Sequence, residues 1–478
     1  MSNLLSIEIM YLHPPTTKKP KKKGWIDNTS LIILAFSVVF YSRIFCAITR
    51  APSIFNLAHF AVVPFVLGVV LFTSRAKDRK QITIAYSFVL GLLIFLVAVL
   101  ASALWNNTGL INAVVSFMML CEPFIFLLAI VCIPMSAKSI TRIKKWLIWS
   151  ALINFVLAAF QKPLIDAGKL YANGFNGTDG CGGVFFVSGA GNYVSASVSV
   201  AFALYFFTNE KTFPLWMRIA VIIAAFWQIL FSDSKQLLLA YLIAWGLLVL
   251  ANSHDIGKSI KLLSAIALFG YGFLWCVQNL EAFAAFTAWA RPELYGPDGY
   301  AWYTKFYSVR SILSHYQSSL NWLFGLGPGH TVSRLGVWFL KDYWSILGLL
   351  GATTNPISQE AMEFCGNSWL CSGSTLFMPI FGWAGIWGDL GLLGVGAYLF
   401  LSYLAWQHFG LDDSLKVTLL TVLVMGFIFT QMEEPGFMLS IAFILGLAWQ
   451  ERQLKKQIHR GKREKEFPNY QLPITNSL

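Results

Sequence analysis

Apolar residues in this chain fall into runs close to 20 residues long, separated by short clusters of charged or turn residues. A helix needs about 20 apolar residues to cross a bilayer. That repeated length constrains the fold more than any other feature. The spacing predicts about twelve spans. The first five are Ser30 to Ile48, Ser53 to Thr73, Ile82 to Leu104, Leu110 to Ile133 and Ile143 to Phe160. The next four are Val184 to Thr208, Leu215 to Phe231, Gln236 to Leu250 and Ser259 to Gln278. After a long polar interruption come Leu376 to Trp406, Leu415 to Thr430 and Gly436 to Trp449. The run from Leu376 is too long for one straight span, so its first part, up to about Trp383, is expected to be a surface helix. Composition agrees: 12% of the residues are charged, about half the fraction of a soluble domain.

The expectation is an all-α polytopic integral membrane protein with a large periplasmic loop between its ninth and tenth helices. In domain terms, 1–29 is a basic cytoplasmic tail and 30–278 holds helices one to nine. The loop is 279–375, helices ten to twelve are 376–450, and 451–478 is a second basic cytoplasmic tail.

The basic residues test this count, because Lys and Arg concentrate on the cytoplasmic side of short loops. Lys18 to Lys23 precede the first span, and no small-residue cleavage site follows that span, so it reads as a retained helix rather than a signal peptide. Arg75, Lys77, Arg79 and Lys80 follow the second span; Lys138, Arg142, Lys144 and Lys145 follow the fourth. Lys211, Lys258, Lys261 and Lys416 continue the alternation, which ends in Arg452, Lys455, Lys456 and the basic C-terminus. All fall on one side when the spans number twelve. The net charge of +12 is thus explained by orientation in the bilayer, and no nucleic-acid partner is expected.

Four of the seven cysteines lie within spans. Cys365 and Cys371 fall in the external loop, in a compartment that permits disulfides, and are expected to pair. No metal-ligand pattern and no cofactor motif is present.

Four constellations can carry chemistry. Ser232-Asp233-Ser234-Lys235 opens the eighth helix at the outer face. Ser232 and Ser234 suit an N-cap, or with Lys235 an anion site at a helix N-terminus. Arg310 and the turn Gly325-Leu326-Gly327-Pro328-Gly329-His330 lie in the loop, together with Arg291, Arg334 and Lys341. Arg grips phosphate through paired hydrogen bonds, and glycine admits close approach of backbone to a ligand. Asp389 lies in an apolar helix, where an ionisable group is costly and therefore suspect. Glu433-Glu434 forms an external acidic turn. His59 and Glu122 are also polar within spans; each is expected to be a buried hydrogen-bonding residue.

The order of these features resembles the O-antigen ligase and polymerase superfamily of membrane glycosyltransferases. The resemblance rests on Ser232-Asp-Ser-Lys235, then Arg310 with Gly325 to Gly329, then Asp389 before Leu-Gly-Leu-Leu-Gly394. It covers roughly Leu215 to Trp449. It implies a GT-C-like fold, a polyprenyl-pyrophosphate-linked oligosaccharide as substrate, no cofactor, and a bacterial inner membrane with both termini cytoplasmic. A flippase and a chain-length regulator are the partners it suggests. Arg310 and Lys235 would stabilise the leaving pyrophosphate, and His330, Asp389 or Glu434 would act as base. Ser232, Ser234, Gly325, Gly327, Gly329, Arg291 and Arg334 would line the substrate. Tyr295, Tyr300, Trp302, Tyr303, Trp322 and Trp338 are candidates to stack on sugars. Ligases of this family carry a His soon after the large loop; Met378 to Trp383 contains none, which favours a polymerase. An O-antigen-type ligase, a secondary transporter and a non-enzymatic scaffold are the competing readings.

Overall fold

The structure is a computed structural model that describes residues 27–74, 78–170, 180–186, 190–251, 256–280, 283, 292–296 and 299–466. It is helical, with no strand among the described residues. Among the described residues, twelve helices of fifteen residues or more lie at the places where apolar runs predict them. They are α1 (Asn28–Thr49), α2 (His59–Thr73), α3 (Arg79–Trp105), α4 (Leu110–Cys132), α5 (Ala137–Asp166) and α6 (Gly191–Asn209). Then follow α7 (Leu215–Phe231), α8 (Gln236–Ala251), α9 (Ile256–Asn279), α10 (Gly382–Phe409), α11 (Asp413–Ile428) and α12 (Pro435–Glu466). Six are long and apolar enough to cross a membrane: α1, α2 with the preceding turn Ser53–Leu57, α3, α4, α5 and α10.

The pattern of burial suits lipid. Phe72, Leu104 and Leu268 are 94%, 79% and 75% exposed, which a water-facing surface would not tolerate in such number. At the centre, every residue of α4 and its end from Met119 to Ile133 is buried, as is every residue of α12 from Gly436 to Glu451. A helix apolar all round has no water-facing side and belongs in the middle. These two pack together, and the other helices pack around them.

Polar contacts divide the bundle into two ends. At one end Gln450 donates to the carbonyls of Ile130 (2.7 Å) and Ile133 (2.9 Å), joining the end of α4 to α12. Lys144 bridges Glu210 (2.6 Å) and Glu451 (2.5 Å), tying α5, α6 and α12. Arg142, Arg218 and Arg452 bond at the same end. The other end carries the segment between α9 and α10. It touches the α3–α4 turn through Asn106 and Gly109, the turn before α2 through Tyr343, and the end of α11 through Lys305.

That segment is a packed helical layer. Short helices at Tyr300–Lys305, Tyr307–Ser314, Leu320–Phe324 and Pro356–Asn367 enclose a small core including Ile312, Leu326, Val332, Ile357 and Phe381. Cys365 and Cys371 are joined by a disulfide across the end of the last of these.

Besides α5, which spans Ala137–Asp166 rather than Ile143 to Phe160, and α6, which starts at Gly191 rather than Val184, three features differ from expectation. No surface helix precedes α10: Thr375–Phe377 is a single 3₁₀ turn, Phe381 is extended, and α10 starts at Gly382. Pro379 has no N–H to continue a helix, and the Gly382 N–H is held by the Phe429 carbonyl at 3.2 Å. Helix α10 also breaks at Gly391 (φ 64°). At the C-terminus, α12 runs on to Glu466, well beyond its apolar part.

The lysine bridge gives a stability prediction. Lys144→Met strands two carboxylates and should cost about 3 kcal/mol, seen as a lower midpoint of thermal unfolding in detergent. Adding Glu210→Gln and Glu451→Gln should recover most of that loss. Unfolding of Lys144→Met at the wild-type midpoint would show the bridge contributes nothing.

Candidate functional site

The glycine-rich turn is built by Asp389. Its carboxylate accepts from the Gly329 N–H (2.7 Å), the Thr331 N–H (2.8 Å) and the Thr331 hydroxyl (2.6 Å). Its carbonyl accepts from Gly327 N–H (3.0 Å) and the Ser102 hydroxyl (2.7 Å). Asp389 is 2% exposed, and the donors from the turn offset part of the cost of burying its carboxylate. These contacts make Asp389 the brace of the glycine turn; it also lines a cavity of about 10 Å³ with Ser333 and Glu433.

The glycines pack against the same break in α10. Gly325 (φ 71°) and Gly391 lie where the turn crosses the break in α10. A Cβ on Gly325 would meet the Asp389 carbonyl at 2.6 Å, and one on Gly391 the Leu323 carbonyl at 2.3 Å. Around Gly327 and Gly329 the near neighbours are Thr108 and Leu335. The close approach these glycines permit is to protein rather than to ligand.

His330 is likewise engaged. Its Nδ1 faces the Leu326 carbonyl (3.1 Å) and so carries the proton; Nε2 then accepts from the Thr353 hydroxyl (2.8 Å). Burial pushes its pKa down.

The turn delivers Arg334 to a cleft of about 80 Å³. Arg43 of α1, His59 at the start of α2, and Asn56 in the turn before it line the same space, with Trp338, Tyr343 and Glu434. Arg334 pairs with the Glu434 carboxylate, and its backbone N–H donates to Glu433 at 2.8 Å. Burial and the neighbouring Arg43 push the Arg334 pKa down to about 9, still protonated at neutral pH. Burial first, and then the charge of Asp389, push Glu433 up to about 8. The cleft therefore holds two guanidinium groups, Arg43 and Arg334, with two carboxylates, Glu434 and Asp342, along the same lining. Guanidinium groups in such a space can grip a small anion through paired hydrogen bonds.

Other expected residues lie elsewhere. Arg310 is exposed; its guanidinium lies 4.0 Å over the Tyr303 ring and donates to the Tyr303 carbonyl at 2.6 Å. Lys235 pairs with Asp233 at 2.6 Å in the α7–α8 turn. Ser232 and Ser234 do not cap α8: the Ser232 hydroxyl donates back to the Gln228 carbonyl of α7 at 2.6 Å, and that of Ser234 to the Ser232 carbonyl at 3.3 Å. The tight turn, with Asp233 at φ 50°, points both hydroxyls toward α7. Arg291 lies outside the described residues. Of the loop aromatics, Trp338 lines the cleft, while Tyr295, Tyr300, Trp302, Tyr303 and Trp322 are exposed on the outside of the layer.

Two residues were missed. Arg43 is a lone cation in the first apolar run, a signal available in the sequence. Lys305 carried no signal. Its amine is buried and donates to the carbonyls of Met378 (2.9 Å) and Ile428 (2.8 Å), and burial pushes its pKa down to about 7.

Comparison of the sequence with family models and with curated proteins finds no match in either.

Two predictions test this geometry. Asp389→Ala leaves buried donors unpaired and should cost about 3 kcal/mol, with Asp389→Asn less damaging; equal midpoints of thermal unfolding for all three proteins would refute the role of the carboxylate. Glu433 binds its proton more tightly folded than unfolded. Its stabilising contribution is therefore full below pH 4.5 and lost as pH rises through about 8. Glu433→Gln should flatten the fall of the unfolding midpoint across that window, and an unchanged pH slope would contradict it.

Proposed function

We propose that the chain is an inverting membrane glycosyltransferase. It polymerises, or ligates, oligosaccharide units carried on polyprenyl pyrophosphate at the outer face of a bacterial cytoplasmic membrane. The observation that carries this reading is the Arg43–Arg334 cleft. It is a phosphate-sized space between apolar helices and a capping layer that presents two guanidinium groups, where a lipid-linked anion would place its charge.

The order of motifs supports the same reading, from Ser232-Asp-Ser-Lys235 through Arg310 and the glycine turn to Asp389. The two-ended bundle agrees with it as well. The capping layer would face outward, and the end bearing Lys144, Arg142, Arg218 and Arg452 would face the cytoplasm. Twelve spans with both termini inside complete the topology.

In this reading the acceptor hydroxyl attacks the anomeric carbon from the face opposite the pyrophosphate. Charge builds on the leaving oxygen, and Arg334 and Arg43 stabilise it where water is excluded. Arg310, stacked outside on Tyr303, would meet the saccharide rather than the pyrophosphate.

Purified protein in lipid, given a polyprenyl-pyrophosphate oligosaccharide, should extend it into a ladder of lipid-linked glycans. Arg334→Ala and Arg43→Ala should each lower the rate by roughly 10²-fold or more, while Arg310→Ala should lower it by less than about tenfold. A full ladder from Arg334→Ala would overturn the assignment of the cleft. Transfer of a single unit to another acceptor would select the ligase form.

A further inference from the structure

At the wall of the cleft lies a second pair that the anion does not need, with His59 on the lining and Glu122 behind it. His59 and Glu122 are 3% and 1% exposed, and His59 Nδ1 lies 2.8 Å from both Glu122 carboxylate oxygens. That contact fixes the tautomer: Nδ1 donates to the carboxylate, and the lone pair is left on Nε2. Among the described residues no partner takes Nε2. His59 lines the same space as Arg43 and Arg334.

A neighbouring group points to the same kind of ligand. Asn56 is 9% exposed, lines the cleft, and its Oδ1 has no hydrogen-bond partner among the described residues. A buried acceptor without a donor is costly. Two acceptors, Asn56 Oδ1 and His59 Nε2, thus stand beside two cations. The cations suit a phosphate, and the acceptors suit a hydroxyl.

We infer that His59 is the catalytic base that takes the proton of the acceptor sugar hydroxyl, and that Glu122 is its positioning residue. This rests on the transferase reading above. The other candidates are occupied: His330 by Leu326 and Thr353, Asp389 by the glycine turn, and Glu434 by Arg334.

The step balances. The acceptor O–H proton passes to His59 Nε2 as the acceptor oxygen bonds to the anomeric carbon. The bond from that carbon to the pyrophosphate oxygen breaks, and its electron pair leaves on the pyrophosphate. The imidazolium is held against Glu122 until it gives its proton to the departing pyrophosphate or to water. The charged groups around it are Arg43 from α1, Glu122 from α4, Arg334 and Asp342 from the capping layer, and Glu434 before α12.

The test uses the full chain in lipid with a polyprenyl-pyrophosphate oligosaccharide, measuring binding, KM and kcat. His59→Gln should bind normally, with KM within about threefold of wild type, and lose about 10²- to 10³-fold in kcat. His59→Gly should regain part of its rate with added imidazole. Glu122→Gln keeps an acceptor for Nδ1 but not the charge, so its kcat should fall by about tenfold or more, with binding intact. Turnover by His59→Gln within about threefold of wild type would overturn the inference. Loss of binding with no rescue by imidazole would assign the pair a structural role and overturn it too. Wild-type protein that binds the saccharide without transferring it would remove the transferase reading, and this inference with it.

Discussion

The structure depends on one buried carboxylate. Asp389 sits in the break of α10 and gathers donors from a segment about sixty residues earlier in the chain. A carboxylate left bare there would be prohibitive, and a glycine turn without acceptors would leave its own N–H groups unpaired. Each solves the other's problem, which fixes the capping layer to the bundle at a single register. The glycines matter for the same reason. At Gly325 and Gly391 two backbones pass so closely that a side chain on either would collide with a carbonyl.

The position of the cleft follows from that lock. Thr331 is held by Asp389, so Ser333 and Arg334 emerge at a fixed place over α4. Helix α12 begins at Pro435, and the preceding Glu433 and Glu434 meet Arg334 through backbone and side chain respectively. The third wall comes from the start of the chain, where Arg43 and His59 sit at the ends of α1 and α2 that face the capping layer. Segments some three hundred residues apart converge here, and no local motif could have announced it.

This explains what was legible. Twelve helices could be read from the length and spacing of apolar runs, because burial in lipid acts on each helix separately. The glycine turn, Asp389 and the acidic pair were visible as oddities, since each breaks an apolar pattern. Their roles were not. Whether Asp389 is a base or a brace depends on what meets it, and its partners come from a distant segment. The same ambiguity placed weight on Arg310, whose residue type and position beside a glycine turn suggest a phosphate grip, while the fold stacks it on Tyr303. Arg43 and His59 were written in the sequence as polar residues in apolar runs, but only the bundle brings them together.

The charge balance of the cleft carries the argument furthest. A guanidinium enclosed by protein is expensive unless an acid accompanies it. Here three acids stand near Arg334, namely Glu433, Glu434 and Asp342, and burial and Asp389 keep the first of them protonated below about pH 8. Glu434 and Asp342 share the lining with Arg334 and Arg43, so the guanidinium groups have acids in the same space. These charges are held in a small volume walled by Trp338 and Tyr343, where the effective dielectric is low and salt screens poorly. A guanidinium held this way can exchange a protein carboxylate for the oxygens of an incoming anion and take the carboxylate back when the anion leaves. The diphosphate leaving group of the proposed substrate would make that exchange with Arg334 and Arg43.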